Sequence, residues 1–322
     1  MSAPERRRSK EGEQLMYAKQ AAIVGDEFRP GFRLQRSWSW SMATSFFLGE
    51  TGAGLFIVSL VLGYLPGLVL GLLLASVGKT AGHLMHMGQP IRAWRAIFKL
   101  KHSWTSRGLL AIILFTGCGI ILVLDGAGLT FGLLPPALKF VVIAVAGVSA
   151  VVIMLYQGFA MSHSAAIGLW SSGLIPVLGL TYALLSGVSL LSVVGYGMLT
   201  ARPHDDEMLQ IVQVGLLVYV AVMLYSLVHA ATFGPKGAQQ SMSMLLHGPL
   251  AIWFIPLVVV IGLVVPILII SLEPKGLVPR LVATLALLVG YYAFRVLIFK
   301  AAVFDPIQSF LPQVARARPR RF

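Results

Sequence analysis

The residues with the clearest chemical potential are charged side chains inside apolar runs. Glu50 lies about ten residues into the first run and Lys79 about nine from the end of the second, so both lie roughly 13–15 Å deep. This depth match predicts that Glu50 and Lys79 pair between neighbouring helices. An unpaired charge in a membrane interior is costly, which leaves two roles open for Glu50. It forms a structural ion pair, or it handles protons beside a redox site.

The histidines gather at one end of the apolar runs. Only His204 maps to the opposite end; the others are His83, His86, His102, His163, His229 and His247. Imidazole exchanges protons near neutral pH and donates hydrogen bonds to carbonyl oxygens. The pattern therefore indicates proton-linked chemistry near this end. The alternative is that histidines collect there because an interface solvates them.

Metal and haem chemistry have little support in the sequence. His83 and His86 are three residues apart and share a helical face, so with His163 or His229 they are candidate ligands of a b-type haem. Paired ligands at matching depth do not recur, however, and we expect neither haem nor metal in this chain. Cys118 is the one cysteine, which excludes a four-cysteine iron–sulfur cluster.

These residues are positioned by long apolar segments. The chain has 322 residues, of which 57% are hydrophobic and 11% charged, whereas a soluble protein carries about 25% charged residues. This composition excludes a soluble enzyme and a disordered chain, and the continuous apolar runs argue against a β-barrel, whose strands alternate in polarity. We predict an all-α polytopic membrane protein with eight spans. Their cores are 40–62, 66–87, 107–125, 137–159, 167–194, 208–232, 249–271 and 280–303.

Basic residues predict the orientation. Most Lys and Arg residues outside the spans lie in the N-terminal tail (1–37), the loop 88–107 and the C-terminal tail (304–322). Cytosolic loops carry such an excess. We therefore expect a multi-pass protein of the inner (cytoplasmic) membrane with both termini in the cytosol and a transmembrane domain over 38–303.

The segment after the second run contains the most specific motifs. It reads HLMHMGQPIRAWR over 83–95 and HSWTSRG over 102–108. This order resembles the membrane anchors of dimethyl-sulfoxide-reductase-like enzymes and the related NrfD/polysulphide-reductase membrane subunits. Those proteins carry a His-Leu-Gly-Arg-Pro type turn, an Arg-Ala-Trp-like stretch and a Ser-Trp-Leu-Ser-Arg-Glu type element. The first span, FLGETGAG over 47–54, also resembles theirs. The resemblance covers about 38–303 in architecture, but its motifs lie within about 40–110.

The resemblance implies two packed helical bundles that anchor a ferredoxin-like iron–sulfur subunit, which contacts a molybdopterin catalytic subunit. The anchor is not catalytic for the primary substrate. It binds menaquinone or ubiquinone and exchanges electrons and protons with the partner's cluster, here near the cytosolic face. Glu50 and His86 are the expected proton-handling residues. The expected quinone-binding residues are Trp40, His83, His86, Arg92, Trp104 and Arg107.

Two positions depart from the family pattern. Gln89 stands where arginine often precedes the proline, and Gly108 stands where an acid often follows Ser-Arg. If that acid protonates quinone in relatives, Glu50 or a histidine must replace it here. Two other functions remain open, a haem-b cytochrome subunit and a secondary transporter. Against the transporter, neither an inverted repeat nor paired discontinuous helices stand out.

Overall fold

The computed structural model describes residues 32–272 and 276–305. Within them, eight helices are long and apolar enough to span a membrane, which confirms the predicted all-α fold. In lipid only such helices satisfy every backbone hydrogen bond internally. The spans, numbered first to eighth in chain order, are Trp40–Leu62, Leu65–His86, Trp104–Gly126, Pro136–Ser162, Leu174–Val194, Pro203–Thr232, Ala251–Ser271 and Leu277–Lys300.

Local signals set where the spans begin and end. Gly63 takes a left-handed conformation, with φ of 65°, which ends the first span and turns the chain into the second. The Ser103 side chain accepts a hydrogen bond from the Ser106 backbone N–H and caps the third span. The fifth span begins at Leu174, later than the predicted 167. Residues 167–173 form turns instead, and Ile167 bridges to Phe304.

Shorter elements connect the spans. Two stretches inside the second and seventh spans are wider π-helical turns, Leu74–Gly78 and Phe254–Val264. A 3₁₀ helix, two short α-helices and two strands complete the described chain. They are Pro90–Lys99, Tyr196–Ala201, Lys236–Leu246, Arg33–Leu34 and Val303–Phe304. The two strands pair with each other.

The spans form two packed bundles. Spans one to four contact one another, spans five to eight do the same, and the first and fifth spans form the main interface between the bundles. At this interface an ideal Cβ on Gly187 would lie 2.5 Å from the backbone nitrogen of Leu55. Only glycine permits so close an approach, as is common where membrane helices pack.

The first and last segments of the transmembrane domain meet and hydrogen-bond to each other at one face. The Gln35 backbone N–H donates to the carbonyl of Ala302 at 2.8 Å, and the Trp170 indole donates to the carbonyl of Ile298 at 3.0 Å. We call this end, which also carries the loop 87–103, the terminal face, and the opposite end the far face. The domain spans Leu34–Phe304. The predicted tails lie mostly outside the described residues, and so does the helix expected over 11–22.

Candidate functional site

A buried ion pair lies where the two bundles meet. Arg295 Nη2 donates to Glu50 Oε2 at 2.5 Å, and both side chains are almost completely buried. The Tyr291 hydroxyl donates to the same carboxylate oxygen. Arg295 and Tyr291 are four residues apart on the eighth span and therefore share the face that meets the first span. The carboxylate and the cation compensate each other's desolvation.

The predicted pairing of Glu50 with Lys79 is wrong. Lys79 Nζ is buried and has no hydrogen-bond partner among the described residues, and the same holds for Glu50 Oε1. The Lys79 side chain instead packs over Gly49, where an ideal Cβ would lie 3.2 Å from Lys79 Nζ. The ammonium group then lies 4.9 Å from the ring centre of Tyr156 and 5.5 Å from that of Phe46. Aromatic faces, and not a hydrogen-bonded carboxylate, make the direct contacts of this ammonium group.

Small and aromatic residues hold the ion pair in place. Gly179 of the fifth span lies against it, since an ideal Cβ there would be 2.8 Å from Arg295 Nη2 and 3.0 Å from Glu50 Oε1. Tyr182, one turn further on, stacks on Tyr291 with ring centres 4.4 Å apart. The site therefore depends on the first, fifth and eighth spans together.

A cavity of about 130 Å³ lies on the other side of Lys79. Its polar lining comes from Lys79, Thr80, His83, Thr105 and Tyr156, and its apolar lining from Leu84, Met87, Ala93, Ala96, Leu109 and Ile112. The second, third and fourth spans contribute its walls, and the 3₁₀ helix Pro90–Lys99 covers it. The π-helical turn Leu74–Gly78 directly precedes Lys79, a position at which such turns often accompany functional sites.

Two side-chain nitrogens beside this cavity lack partners. His83 Nδ1 and Lys79 Nζ are both buried and make no hydrogen bond within the described chain. Buried polar atoms are normally satisfied, so such atoms beside a cavity indicate that a ligand or water completes the site.

Gly108, one of the two departures from the family motif, packs against Tyr156, which lines this cavity. An ideal Cβ there would be 2.5 Å from Tyr156 Cζ. The absence of a side chain at Gly108 thus makes room for the Tyr156 ring. In this chain the space that a larger residue would need is filled by a phenol.

The remaining predicted site residues are more dispersed. His86 is partly exposed at the end of the second span and does not line the cavity, while Arg92 is exposed on the outer side of the 3₁₀ helix. Trp40, which is 57% exposed, starts the first span and does not line the cavity. His83 is thus the predicted histidine that reaches the cavity.

Trp104 and Arg107 act together beside the cavity. The Arg107 guanidinium lies 4.3 Å from the Trp104 ring centre, and Trp104 stacks on Phe159. Arg107 also donates to the carbonyls of Leu100 and Lys101, both at 3.0 Å. These contacts fasten the end of the 3₁₀ helix to the third span.

The structure adds three residues to the site that sequence reasoning did not assign a role. Arg295 and Tyr291 hold Glu50, and Tyr156 lines the cavity beside Lys79. An arginine inside an apolar run was the available signal for Arg295, because a charge in a membrane span is costly unless it is paired. Tyr156 had no comparable signal.

Comparison with known proteins assigns the chain to a family. Residues 30–305 match the family model described as polysulphide reductase, NrfD. The search of curated proteins gave no match. The matched residues include all eight spans, the ion pair and the cavity. The chain therefore belongs to the polysulphide reductase NrfD family, whose members are membrane subunits of reductase complexes of the polysulphide reductase or molybdoenzyme type.

Proposed function

We propose that this chain is the quinone-reactive membrane anchor of a molybdopterin and iron–sulfur oxidoreductase, and that the quinone ring binds in the cavity beside Lys79 and His83. The observation that supports this most strongly is the pair of unpartnered buried nitrogens, Lys79 Nζ and His83 Nδ1, at one cavity. A quinone has two carbonyl oxygens that accept hydrogen bonds, so it supplies the acceptors that these nitrogens lack.

The size and lining of the cavity fit a ring. Its volume of about 130 Å³ is close to the roughly 150 Å³ of an apolar cavity that holds benzene. Its walls are mainly aliphatic, with polar groups concentrated at Lys79, His83 and Tyr156. A few polar groups in an otherwise apolar pocket are typical of a site that orients a small ligand.

The chemistry follows from these groups. Reduction of a quinone to a quinol adds two electrons and two protons, and its oxidation releases them. The electrons would come from, or pass to, an iron–sulfur cluster of the partner subunit. Among the described residues of this chain, no group of three or more His, Cys, Asp and Glu is placed to hold a metal. Lys79 and His83 hydrogen-bond the carbonyl oxygens and exchange protons with them. Cofactor chemistry and protein positioning are thus divided between subunits.

The partners proposed for this anchor are an iron–sulfur subunit and a molybdenum catalytic subunit, with which members of the family typically assemble. They bind at the terminal face, because the cavity is covered there only by the 3₁₀ helix Pro90–Lys99. Short distances favour electron transfer, so we expect the partner's terminal cluster at this face of the bundle, close to the cavity. The basic residues in the loop 88–107 support a cytosolic position for this face.

A direct test measures quinone-linked turnover in the purified complex. Lys79→Met removes a hydrogen-bond donor from the cavity, and His83→Gln removes the imidazole that exchanges protons with the quinone. For each variant we expect turnover with a soluble naphthoquinone or benzoquinone analogue to fall by about tenfold or more. Dye-linked activity of the catalytic subunit, which bypasses the anchor, should stay unchanged.

The matched control is His163→Gln, an exposed histidine at the same face. It should leave both activities intact. Binding of a photoreactive quinone analogue gives a second readout, with cross-links expected on the second and fourth spans. Full quinone turnover in both cavity variants would contradict the site. Cross-linking at another place in the bundle would contradict it as well.

A further inference from the structure

The 3₁₀ helix Pro90–Lys99 presents two exposed faces of different character. Residues three apart are eclipsed in a 3₁₀ helix, so they form three stripes along it. Ala93 and Ala96 form the stripe that lines the cavity. Ile91 and Trp94, which are 89% and 59% exposed, form an apolar stripe. Phe98, which is 73% exposed, lies in register with Arg92 and Arg95, but its ring packs edge to face on Trp94 with ring centres 5.8 Å apart and so extends the apolar surface.

The third stripe is basic. Arg92 and Arg95 are exposed three residues apart, and Lys101 continues their register beyond the helix. Lys99 is exposed at the end of the stripe that contains Ala93 and Ala96. The sequence contains no Asp or Glu between Glu50 and Asp125, so no acid of this segment offsets their charge. Arg95 also lies 5.7 Å from the ring centre of Trp94, which brings charge and aromatic surface together.

The position of the helix places both stripes at a membrane boundary. The second span ends at His86 and the third begins at Trp104, so both ends of the segment are attached to spans at the terminal face. Ser106 Oγ donates to the carbonyl of Ala96 at 2.5 Å, and Arg107 fastens the following residues. The segment is therefore held across the ends of the spans rather than extended away from them.

We propose that Pro90–Lys99 is an interfacial helix that binds the anionic headgroups of the membrane leaflet at the terminal face. Its apolar stripe lies among the acyl chains next to the headgroups, and its basic stripe binds the phosphates. A tryptophan beside apolar residues and arginines is the composition that such a position favours. Charge complementarity selects an anionic surface over a neutral one. This assignment does not depend on what the cavity binds.

The test uses the full chain in nanodiscs, with a spin label on Phe98→Cys in a Cys118→Ser background. The discs contain phosphatidylcholine alone or a mixture with phosphatidylglycerol. Access of oxygen reports insertion into lipid, and access of a water-soluble nickel complex reports exposure to water. In the anionic discs we expect the label to favour oxygen, and high salt should reduce this preference.

The variant Arg92→Gln/Arg95→Gln/Lys99→Gln should abolish the difference between the two lipids, since each cation near the surface contributes about fivefold to binding. If this variant does not fold, the salt titration of the labelled chain and the variant Arg95→Gln/Lys99→Gln replace it. A label on Phe131→Cys, 85% exposed at the far face, is the matched control and should show no such response to the three substitutions.

Two results would overturn the proposal. Equal insertion in neutral and anionic discs would show that headgroup charge is irrelevant. A label that stays in water in both lipids and becomes protected only when the iron–sulfur subunit is added would instead identify the helix as a protein-docking surface.

Discussion

At the scale of single residues, the Glu50–Arg295 pair places the strictest requirement on its surroundings, because two buried charges must compensate each other. Both groups are buried between the bundles, and Glu50 Oε2 accepts hydrogen bonds from Arg295 and Tyr291. The other carboxylate oxygen, Oε1, has no partner within the described chain. The pair therefore has a structural role through Oε2 and leaves Oε1 open to a water or a proton.

This arrangement predicts how the chain responds to substitution. Glu50→Gln removes the compensating charge from Arg295 and should cost about 3–5 kcal/mol, because a buried cation is left unpaired. Adding Arg295→Met to this variant should restore much of the lost stability, because no buried charge then remains unpaired. The measurement is the thermal midpoint and the monodisperse fraction of the chain in detergent.

Lys79→Met is the matched control, since Lys79 is equally buried but makes no hydrogen bond to Glu50 in the structure. Alone it should leave stability nearly unchanged, and it should not rescue Glu50→Gln. If Lys79→Met rescued Glu50→Gln and Arg295→Met did not, the result would support the Glu50–Lys79 pairing that was predicted from depth.

At the scale of helices, the close contact of the first and fifth spans predicts a strong dependence on glycine. Ala at position 187 would bring Cβ within 2.5–2.6 Å of backbone atoms of Leu55 and Gly54, which cannot move without shifting a span. Gly187→Ala should therefore destabilise the chain by about 1–3 kcal/mol. In contrast, Gly147→Ala on the fourth span meets nothing within 4 Å and should be neutral or slightly stabilising. Equal shifts of the thermal midpoint in the two variants would disprove this packing argument.

The helices also show what the sequence could and could not predict. The eight spans follow from apolar length alone, because lipid permits few other structures. The match in depth along the helices predicted the wrong partner, Lys79, for Glu50. The backbone of Arg295 lies about five residues, or roughly 8 Å, from the end of its span, but its long side chain covers the remaining distance. Side-chain reach and the packing of distant spans are not encoded in local spacing.

The cavity depends on such packing to a still greater degree. Its lining comes from three spans and the 3₁₀ helix, and the room for Tyr156 depends on Gly108 of another span. The sequence identified His83, because its motif lies in one segment, but it ranked His86 above it. Tyr156 is more than forty residues away from that segment and could be assigned only from the structure.

At the scale of the whole molecule, the two faces differ in charge. On the far face, Arg280 pairs with Asp206 at 2.5 Å and Lys139 pairs with Asp125 at 2.7 Å, so these cations are compensated locally. On the terminal face, the loop 88–107 has five Lys and Arg residues and no acid. They are Arg92, Arg95, Lys99, Lys101 and Arg107. The difference in uncompensated charge is therefore larger than a count of basic residues alone indicates.

This asymmetry predicts that the terminal face is cytosolic, because positively charged loops are retained on that side during insertion. In a Cys118→Ser background, Lys101→Cys marks the terminal face and Phe131→Cys the far face, and both positions are exposed. A membrane-impermeant maleimide added to spheroplasts should label position 131 at once and position 101 only after the membrane is permeabilised. The reverse order would place the terminal face outside the cytosol. It would also move the proposed iron–sulfur and molybdenum partners to that side, since the cavity and its covering helix lie at the terminal face whatever the orientation.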